Sequence, residues 1–185
     1  MTGLASRGQL RASFLRWALL IVSAVLLLGF GSGMLAQSGP GNVWFDSLAK
    51  PSLYPPPANF GIVWSALYLM MGIALTVVVA ARGAPGRGIA IMVFLAQLAL
   101  NLAWSPLFFA AHRISAALIL IGLLDIAVLA TVVLFWRIRR GAGLLLLPYL
   151  AWALFATALN WQFLVANPDA DGRAGGSNAA ARFEI

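Results

Sequence analysis

The chain has no cysteine and very little charge. Without cysteine, disulfides, thiolate metal sites and cysteine nucleophiles are excluded. Only 9% of the 185 residues are charged, whereas 62% are hydrophobic. Soluble domains carry about 25% charged residues. So little charge cannot cover a water-exposed surface, so the composition predicts an integral membrane protein with lipid as its main partner.

Acidic residues are scarcer than basic ones. The chain has five Asp and Glu residues and twelve Lys and Arg residues, which gives a net charge of +7. In a soluble protein this excess would suggest nucleic-acid binding. Here the basic residues mostly cluster at the ends of apolar runs, as they do in membrane proteins. We therefore expect no nucleic-acid partner.

Five apolar segments are each long enough to cross a bilayer, which takes about 20 residues. They run from about Phe14 to Ala36, Phe60 to Ala81, Gly88 to Ala111, Ser115 to Trp136 and Ala142 to Ala166. The predicted fold class is an all-α membrane protein, a bundle of five transmembrane helices over residues 14–166. A cleaved signal peptide is the alternative for the first segment, but its apolar run exceeds the usual 7–15 residues.

The remaining residues form two terminal segments. Residues 1–13 are predicted to be a cytoplasmic N-terminal segment. Residues 167–185 are rich in Gly, Ala and polar side chains, a composition typical of a disordered tail.

The basic residues also predict the orientation of the bundle. Eight would lie on one side of the membrane: Arg7, Arg11, Arg16, Arg82, Arg87, Arg137, Arg139 and Arg140. Four would lie on the other: Lys50, Arg113, Arg173 and Arg182. The positive-inside rule then places the N-terminus in the cytoplasm and the C-terminus outside. A multi-pass protein of a bacterial cell membrane is the predicted localisation.

Three spans carry aromatic and polar residues at helical spacing. The third span has Gln97, Asn101, Trp104 and Phe108; the second has Trp64, Tyr68 and Met71; the fifth has Tyr149, Trp152, Phe155 or Ala156, and Asn160. Such stripes either hydrogen-bond the helices to each other or line a ligand cavity. The pattern alone leaves both interpretations open.

Asp125 lies in the middle of the fourth span, without a basic residue in the middle of another span to pair with. It either bonds to a Trp, Asn or Ser on a neighbouring helix or has a proton or ligand role. The steps Gly29/Gly33 and Ala99/Ala103 allow close helix approach, inside the bundle or at a dimer face. No catalytic or metal-binding motif is present, so we expect no catalytic residue, no metal and no required cofactor.

The loop between the first two spans contains KPSLYPPP, from Lys50 to Pro57. The preceding stretch NVWFDSLAK is suited to a short interfacial helix, in which Asp46 and Lys50 would pair weakly at i and i+4. Four motifs follow one another along the chain: K-P-x-x-x-P-P, W-x-x-L-Y, Q-L-x-x-N-x-x-W-x-x-x-F-F and P-Y-L-x-W. In this order they resemble the TspO/MBR family over about residues 43–163.

The resemblance implies a five-helix bundle, often dimeric, in which residues 37–59 act as a lid over a cavity. It implies binding of a porphyrin-type ligand such as protoporphyrin IX or a haem-like molecule, with a sensory, regulatory or transport output. By the matching motifs, the ligand-binding residues would be Trp44, Phe60, Trp64, Tyr68, Asn101, Trp104, Phe108 and Trp152. A homodimer is also expected.

The alternative function is an enzyme that degrades porphyrin with light and oxygen, an activity the resemblance links to tryptophans of the loop and the fifth helix. This loop departs from the family pattern, because Leu53 stands where the family often has an aromatic residue and Ala58 where it has Trp. The departure favours binding over degradation.

Overall fold

The computed structural model describes residues 6–173, and every regular element in that range is helical. The helices are α1 (Arg7–Leu35), α2 (Val43–Ser47), α3 (Pro57–Ala80), α4 (Arg87–Ser105), α5 (Ile114–Ile138) and α6 (Arg140–Ala166). A π-helical turn (Pro106–Ala110) extends α4, and a 3-10 turn (Pro168–Ala170) follows α6. All except α2 are long and apolar enough to span a membrane. The predicted five-helix fold class is confirmed.

The five long helices form a ring. Around it the order is α1, α3, α6, α5, α4, with α4 again touching α1. A single residue, Arg139, separates α5 from α6, so these two form a tight antiparallel hairpin. We call the end of the bundle with residues 36–56 and the α4–α5 connection the loop end.

The first helix begins earlier than the predicted boundary at residue 14. Ser6 and Gln9 form a capping box: Ser6 Oγ accepts from Gln9 N at 3.2 Å, and Ser6 N donates to Gln9 Oε1 at 2.8 Å. This pair satisfies two backbone N–H groups that would otherwise be free at the helix start. Residues 7–13 are therefore part of α1, not a separate segment.

A proline shapes the loop end of α4. Pro106 lacks an N–H and so cannot continue the α-helical hydrogen-bond pattern. The chain widens into a π-helical turn, closed by the bond from Ala111 N to Pro106 O at 2.9 Å. This turn buries both Phe108 and Phe109, so α4 ends with two aromatic rings directed into the bundle.

The half of the bundle away from the loop end is solidly packed. Phe94 and Phe135 stack there with ring centroids 5.7 Å apart, and Met71 and Leu146 are fully buried beside them. Close packing of this kind leaves little space for a ligand.

Two glycines bring α1 and α3 together. A Cβ at Gly72 would lie 2.8 Å from Val22 Cα, and a Cβ at Gly29 would overlap the ring of Tyr68. Only glycine permits these approaches. Gly29 therefore seals the bundle from inside and does not belong to a dimer face.

Residues 167–173 are folded against the bundle, although the sequence predicted disorder from residue 167. Asn167 pairs with the backbone of Ala49: its Oδ1 accepts from Ala49 N at 2.8 Å, and its Nδ2 donates to Ala49 O at 3.0 Å. Gly172 N donates to His112 O at 2.7 Å. These partners are distant in sequence, so composition could not reveal them. The rest of the predicted tail, 174–185, lies outside the described residues.

The orientation of the bundle stays a prediction, which reporter fusions can test. A fusion after Ile185 should be active with alkaline phosphatase and inactive with a cytoplasmic reporter, because the positive-inside rule places this end outside. A fusion after Gly83, between α3 and α4, is the matched control and should show the opposite pattern. Phosphatase activity at Gly83 but not at Ile185 would mean that the orientation is inverted.

Candidate ligand-binding site

A cavity of about 720 Å³ occupies the loop half of the bundle. Small-molecule sites commonly measure about 300–1,000 Å³. All five long helices contribute to its lining, together with residues 37–42 and the residues around Tyr54. Seven of the eight residues predicted to bind ligand line it: Phe60, Trp64, Tyr68, Asn101, Trp104, Phe108 and Trp152.

Trp44 is the exception. It is buried outside the cavity lining, where its ring stacks on His112 at 4.5 Å and meets Phe108 edge-on at 5.6 Å. Asn42 caps α2 by accepting from Phe45 N at 3.0 Å, and this start of the helix directs Phe45 to the cavity instead. Trp44 is thus outside the lining, one position before Phe45 on the short helix, and its contact with a ligand stays a prediction.

The floor of the cavity is a chain of hydrogen bonds across three helices. Tyr68 Oη (α3) donates to Asn101 Oδ1 (α4) at 3.0 Å, and Asn101 Nδ2 donates to Tyr149 Oη (α6) at 3.0 Å. Tyr149 Oη in turn donates to Gln97 Oε1 at 2.9 Å. Asn101 thus joins the two halves of this hydrogen-bond network. One of its N–H groups and one lone pair of its oxygen remain unpaired and can bond to a ligand.

A second polar contact stiffens the wall. Trp104 Nε1 donates to Asn160 Oδ1 at 3.1 Å, and Asn160 Nδ2 donates to Ile114 O at 3.1 Å. The indole of Trp104 is therefore held by a fixed acceptor on α6. Its position does not depend on a ligand.

Two pairs of stacked aromatic rings line the cavity, one on α3 and one at the loop end of α4. Trp64 stacks on Tyr68 with centroids 5.1 Å apart and an interplanar angle of 28°. Trp104 stacks on Phe108 with centroids 5.1 Å apart and an angle of 22°. Aromatic faces of this kind attract other flat π-systems. The cavity is therefore suited to a flat ligand.

The cavity has no charged side chain among its described lining residues. Its polar capacity comes from amides, hydroxyls and one free donor: Trp152 Nε1 is buried without a hydrogen-bond partner among residues 6–173. A buried unpaired donor is costly unless a ligand or water accepts from it. Trp152 is therefore the side chain that gains most from a ligand acceptor.

The roof is formed by the loop and α2. Asn42 Nδ2 donates to Phe109 O at 3.2 Å, and Trp44, Phe45 and Leu48 pack with Phe109 in a buried cluster. Tyr54 packs between Phe60 and Phe163 with centroids 5.5 and 5.8 Å away. Tyr54, in the middle of the proline-rich stretch, thus makes an aromatic contact with the roof. The last proline of the stretch, Pro57, begins α3.

Lys50 secures the end of α2 from outside. Its Nζ donates to the carbonyl oxygens of Phe45 and Leu48 and lies 4.2 Å from the centroid of the Phe45 ring. Burial lowers the pKa of Lys50, while the charge of Asp46 opposes this shift. The predicted Asp46–Lys50 pairing is replaced by another contact, since Asp46 Oδ2 accepts from Gly41 N at 2.9 Å.

Asp125 lies outside the cavity lining, at the contact of α5 and α6. Its Oδ2 lies 2.7 Å from Thr157 Oγ1, and its Oδ1 has no hydrogen-bond partner within the described part of the chain. The partner is a residue on a neighbouring helix, as the structural interpretation expected, but it is a threonine. This geometry gives Asp125 no contact with a ligand in the cavity.

Several lining residues were absent from the sequence-based site. They include Asn42, Phe45, Tyr54, Asn160 and Phe163. Asn160 carries the same signal as Asn101, an amide inside a span, and the N-cap pattern at Asn42 was available from the sequence. The aromatic residues of the roof carry no such signal, because their direction depends on how the loop folds back.

These features define a five-span membrane protein with an uncharged, aromatic cavity. The chain matches the TspO/MBR family over residues 20–166, and it belongs to that family. The relatives named below agree with this assignment.

Relatives with similar sequences come from bacteria, archaea and animals. Protein CrtK of Rhodobacter capsulatus is 38% identical over 68% of this chain and 79% of its own. Tryptophan-rich protein TspO of Archaeoglobus fulgidus is 41% identical over 79% and 94%. Translocator protein of Homo sapiens is 38% identical over 72% and 80%. The family match covers α2 to α6 and the part of α1 that lines the cavity.

Replacing Asn101 with leucine should destabilise the bundle. The change leaves the hydroxyls of Tyr68 and Tyr149 with fewer partners, at a cost of about 1 kcal/mol in a membrane protein. Gln162→Leu is the matched control, because Gln162 Oε1 is buried with no partner among the described residues. The apparent melting temperature in mild detergent should fall for Asn101→Leu only. Equal shifts in both variants would contradict the role of Asn101 as a junction.

Proposed function

We propose that this cavity binds a tetrapyrrole, a porphyrin-type molecule such as protoporphyrin IX or a haem-like ligand, and that the protein is a sensory or translocator protein for it. The observation that carries the proposal is the pair of parallel aromatic stacks, Trp64/Tyr68 and Trp104/Phe108, facing one uncharged cavity. A flat macrocycle has two π-faces, and each stack offers a complementary surface.

The polar groups of the cavity suit the remaining chemistry of such a ligand. Trp152 Nε1 and the free N–H of Asn101 are donors for acceptors on the ring or its substituents. Carboxylates are too costly to bury where no cation lines the wall. They would stay at the rim, beside the exposed Gln37 and Ser38. The ligand would therefore bind with its apolar part inward.

The names of relatives support the proposed sensory or translocator role. A relative in Cereibacter sphaeroides, 37% identical over 67% of this chain, is named Tryptophan-rich sensory protein, and animal relatives are named Translocator protein. Regulation or transport by this chain is part of the proposal. The direction of any movement is outside it.

Porphyrin degradation driven by light and oxygen is the rival function. The indoles of Trp104 and Trp152 do line the cavity, but Trp44 of the loop does not. The two functions differ in one measurement: irradiated with oxygen, an enzyme would accelerate the loss of porphyrin absorbance, whereas a binding protein would leave it near the rate of free porphyrin.

We also propose a homodimer through α4. Its outer face exposes the small residues Ala96, Ala99 and Ala103 along one stripe. Small residues let two helices approach closely in lipid. The alternative face predicted from the sequence, at Gly29, is occupied by Tyr68.

Binding of protoporphyrin IX should depend on Trp152. The substitution Trp152→Ala removes one aromatic ring and one unpaired N–H donor. The affinity for protoporphyrin IX should therefore fall about fivefold, or about 1 kcal/mol. The matched control is Trp161→Ala on the same helix, because Trp161 is 51% exposed and outside the cavity lining. A fluorescence-quenching titration in detergent measures both.

Two outcomes would contradict the binding proposal. No saturable quenching by the unmodified protein would mean that the cavity does not take a porphyrin. An equal loss of affinity in both variants, or no loss of affinity in Trp152→Ala, would mean that the porphyrin binds elsewhere.

The dimer should dissociate when its proposed face is blocked. In Ala103→Leu, a larger side chain prevents close approach of two α4 helices, whereas Ala151→Leu adds the same atoms to an exposed position on α6. Light scattering in mild detergent should report a dimer for the unmodified protein and Ala151→Leu, and a monomer for Ala103→Leu. A monomeric unmodified protein would refute the dimer.

A further inference from the structure

We propose that the ligand reaches the cavity sideways from the lipid, through a slot between α1 and α3, and not past the loop. The slot is the gap bordered by Phe30, Gly33 and Met34 on α1 and by Pro57 and Gly61 on α3. A ligand that enters through this slot must be an apolar molecule dissolved in the membrane. The identity of the ligand rests on the proposed function, but the slot itself does not.

The close packing of α1 and α3 ends before the loop end. The two helices touch at Val22/Gly72 and again at Gly29/Tyr68. Beyond Tyr68, both helices supply cavity-lining residues. The cavity therefore lies directly behind this part of the α1–α3 contact.

Two glycines keep the gap free of side chains. Gly61 lines the cavity and is exposed on the bundle surface, and a Cβ built on it meets no heavy atom within 4 Å. A Cβ on Gly33 would meet only Ser38 Oγ, at 3.9 Å. Neither glycine is explained by close packing or by a positive φ. Their common effect is that neither helix fills the gap with a side chain at these two positions.

Three other contacts between helices around the cavity are bridged. Ser32 Oγ donates to Leu102 O at 2.5 Å and joins α1 to α4. Phe60 and Trp152 meet edge-on at 5.9 Å between α3 and α6. Asn160 joins α6 to the start of α5. Between α1 and α3 the edge-on contact of Phe30 with Tyr68 is such a bridge; towards the loop end from it, at Gly33 and Gly61, no hydrogen bond or ring contact within residues 6–173 joins the two helices.

The roof is fixed as firmly as the core. Opening it would expose Trp44, Phe45 and Leu48, each at most 6% exposed, and would break the bonds of Asn42 and Asn167 to distant backbone groups. Exposing such apolar side chains to water is unfavourable. Residues 42–49 therefore act as a fixed cover, and the interpretation of the loop as a moving lid is not favoured.

Opening the slot needs only side-chain motion. Phe30 and Met34 border it and are 40% and 79% exposed. Rotamer changes of exposed side chains occur within nanoseconds. Phe30 also packs edge-on against Tyr68 at 5.9 Å, so its ring lies between the outer surface of the bundle and the aromatic wall. A hydrophobic molecule can pass this border without crossing water.

The first test is the exchange of protoporphyrin IX between liposomes and the reconstituted protein. Gly61→Phe fills the slot, so the association and release rates should both fall by about tenfold or more, as for a blocked path. Gly122→Phe is the matched control: its Cβ also meets no heavy atom within 4 Å, but Gly122 lies on α5 outside the cavity lining.

The second test needs no porphyrin. Since the chain has no cysteine, Ala153→Cys places a single thiol in the cavity lining at a position only 2% exposed. An apolar reagent, N-cyclohexylmaleimide, should modify it in liposomes much faster than a sulfonated maleimide does. Adding Gly61→Phe should slow the apolar reagent by about tenfold; adding Gly122→Phe should not.

The outcomes separate the two proposals. No porphyrin binding by the unmodified protein, with the expected maleimide pattern, would refute the proposed function and leave the slot supported. Normal binding with unchanged exchange and labelling in Gly61→Phe would refute the slot alone. Equal reaction of both maleimides would mean that the cavity opens to water at the roof, and would also overturn the slot.

Discussion

The hydrogen bonds of Asn101 are the constraint on which the rest of the site depends. One amide accepts from Tyr68 on α3 and donates to Tyr149 on α6, so three helices are held at one level of the bundle. Lipid offers no alternative partner to these groups. Below this level the bundle is solid around Phe94; above it the helices enclose a cavity. Asn101 marks the boundary between the structural and the functional half.

A cavity of this size persists because its walls cannot collapse into it. Trp104 is tied to Asn160, the π-helical turn after Pro106 sets the direction of Phe108, and the roof is bonded to residues far away in sequence. Rings held by fixed partners keep their positions without a ligand, so little conformational freedom is lost on binding. The same rigidity makes the unbridged side of the perimeter, at Gly33 and Gly61, the easiest route inward.

Most of the fold and much of the site could be predicted from the sequence, because helical spacing and lipid solvation are local rules. The stripe from Gln97 to Phe108 follows directly from a 3.6-residue period, and it faces inward in the structure. Trp44 could not be placed in this way, because its direction depends on a short helix that stacks it on His112. The folding of residues 167–173 against the bundle depends on the hydrogen bonds between Asn167 and the backbone of Ala49. The slot depends on where two helices separate, which no pattern within either helix encodes.

The uncharged cavity and the lateral slot have one consequence in common. A wall without cations cannot hold a carboxylate away from water, and a path through lipid excludes molecules that do not partition into the bilayer. Both select a ligand that is apolar over most of its surface and polar at one edge. Such a molecule is concentrated in the membrane, so occupancy of the cavity would follow its concentration in the bilayer, not in the surrounding water. For a sensor or a translocator, this places the relevant ligand pool in the lipid.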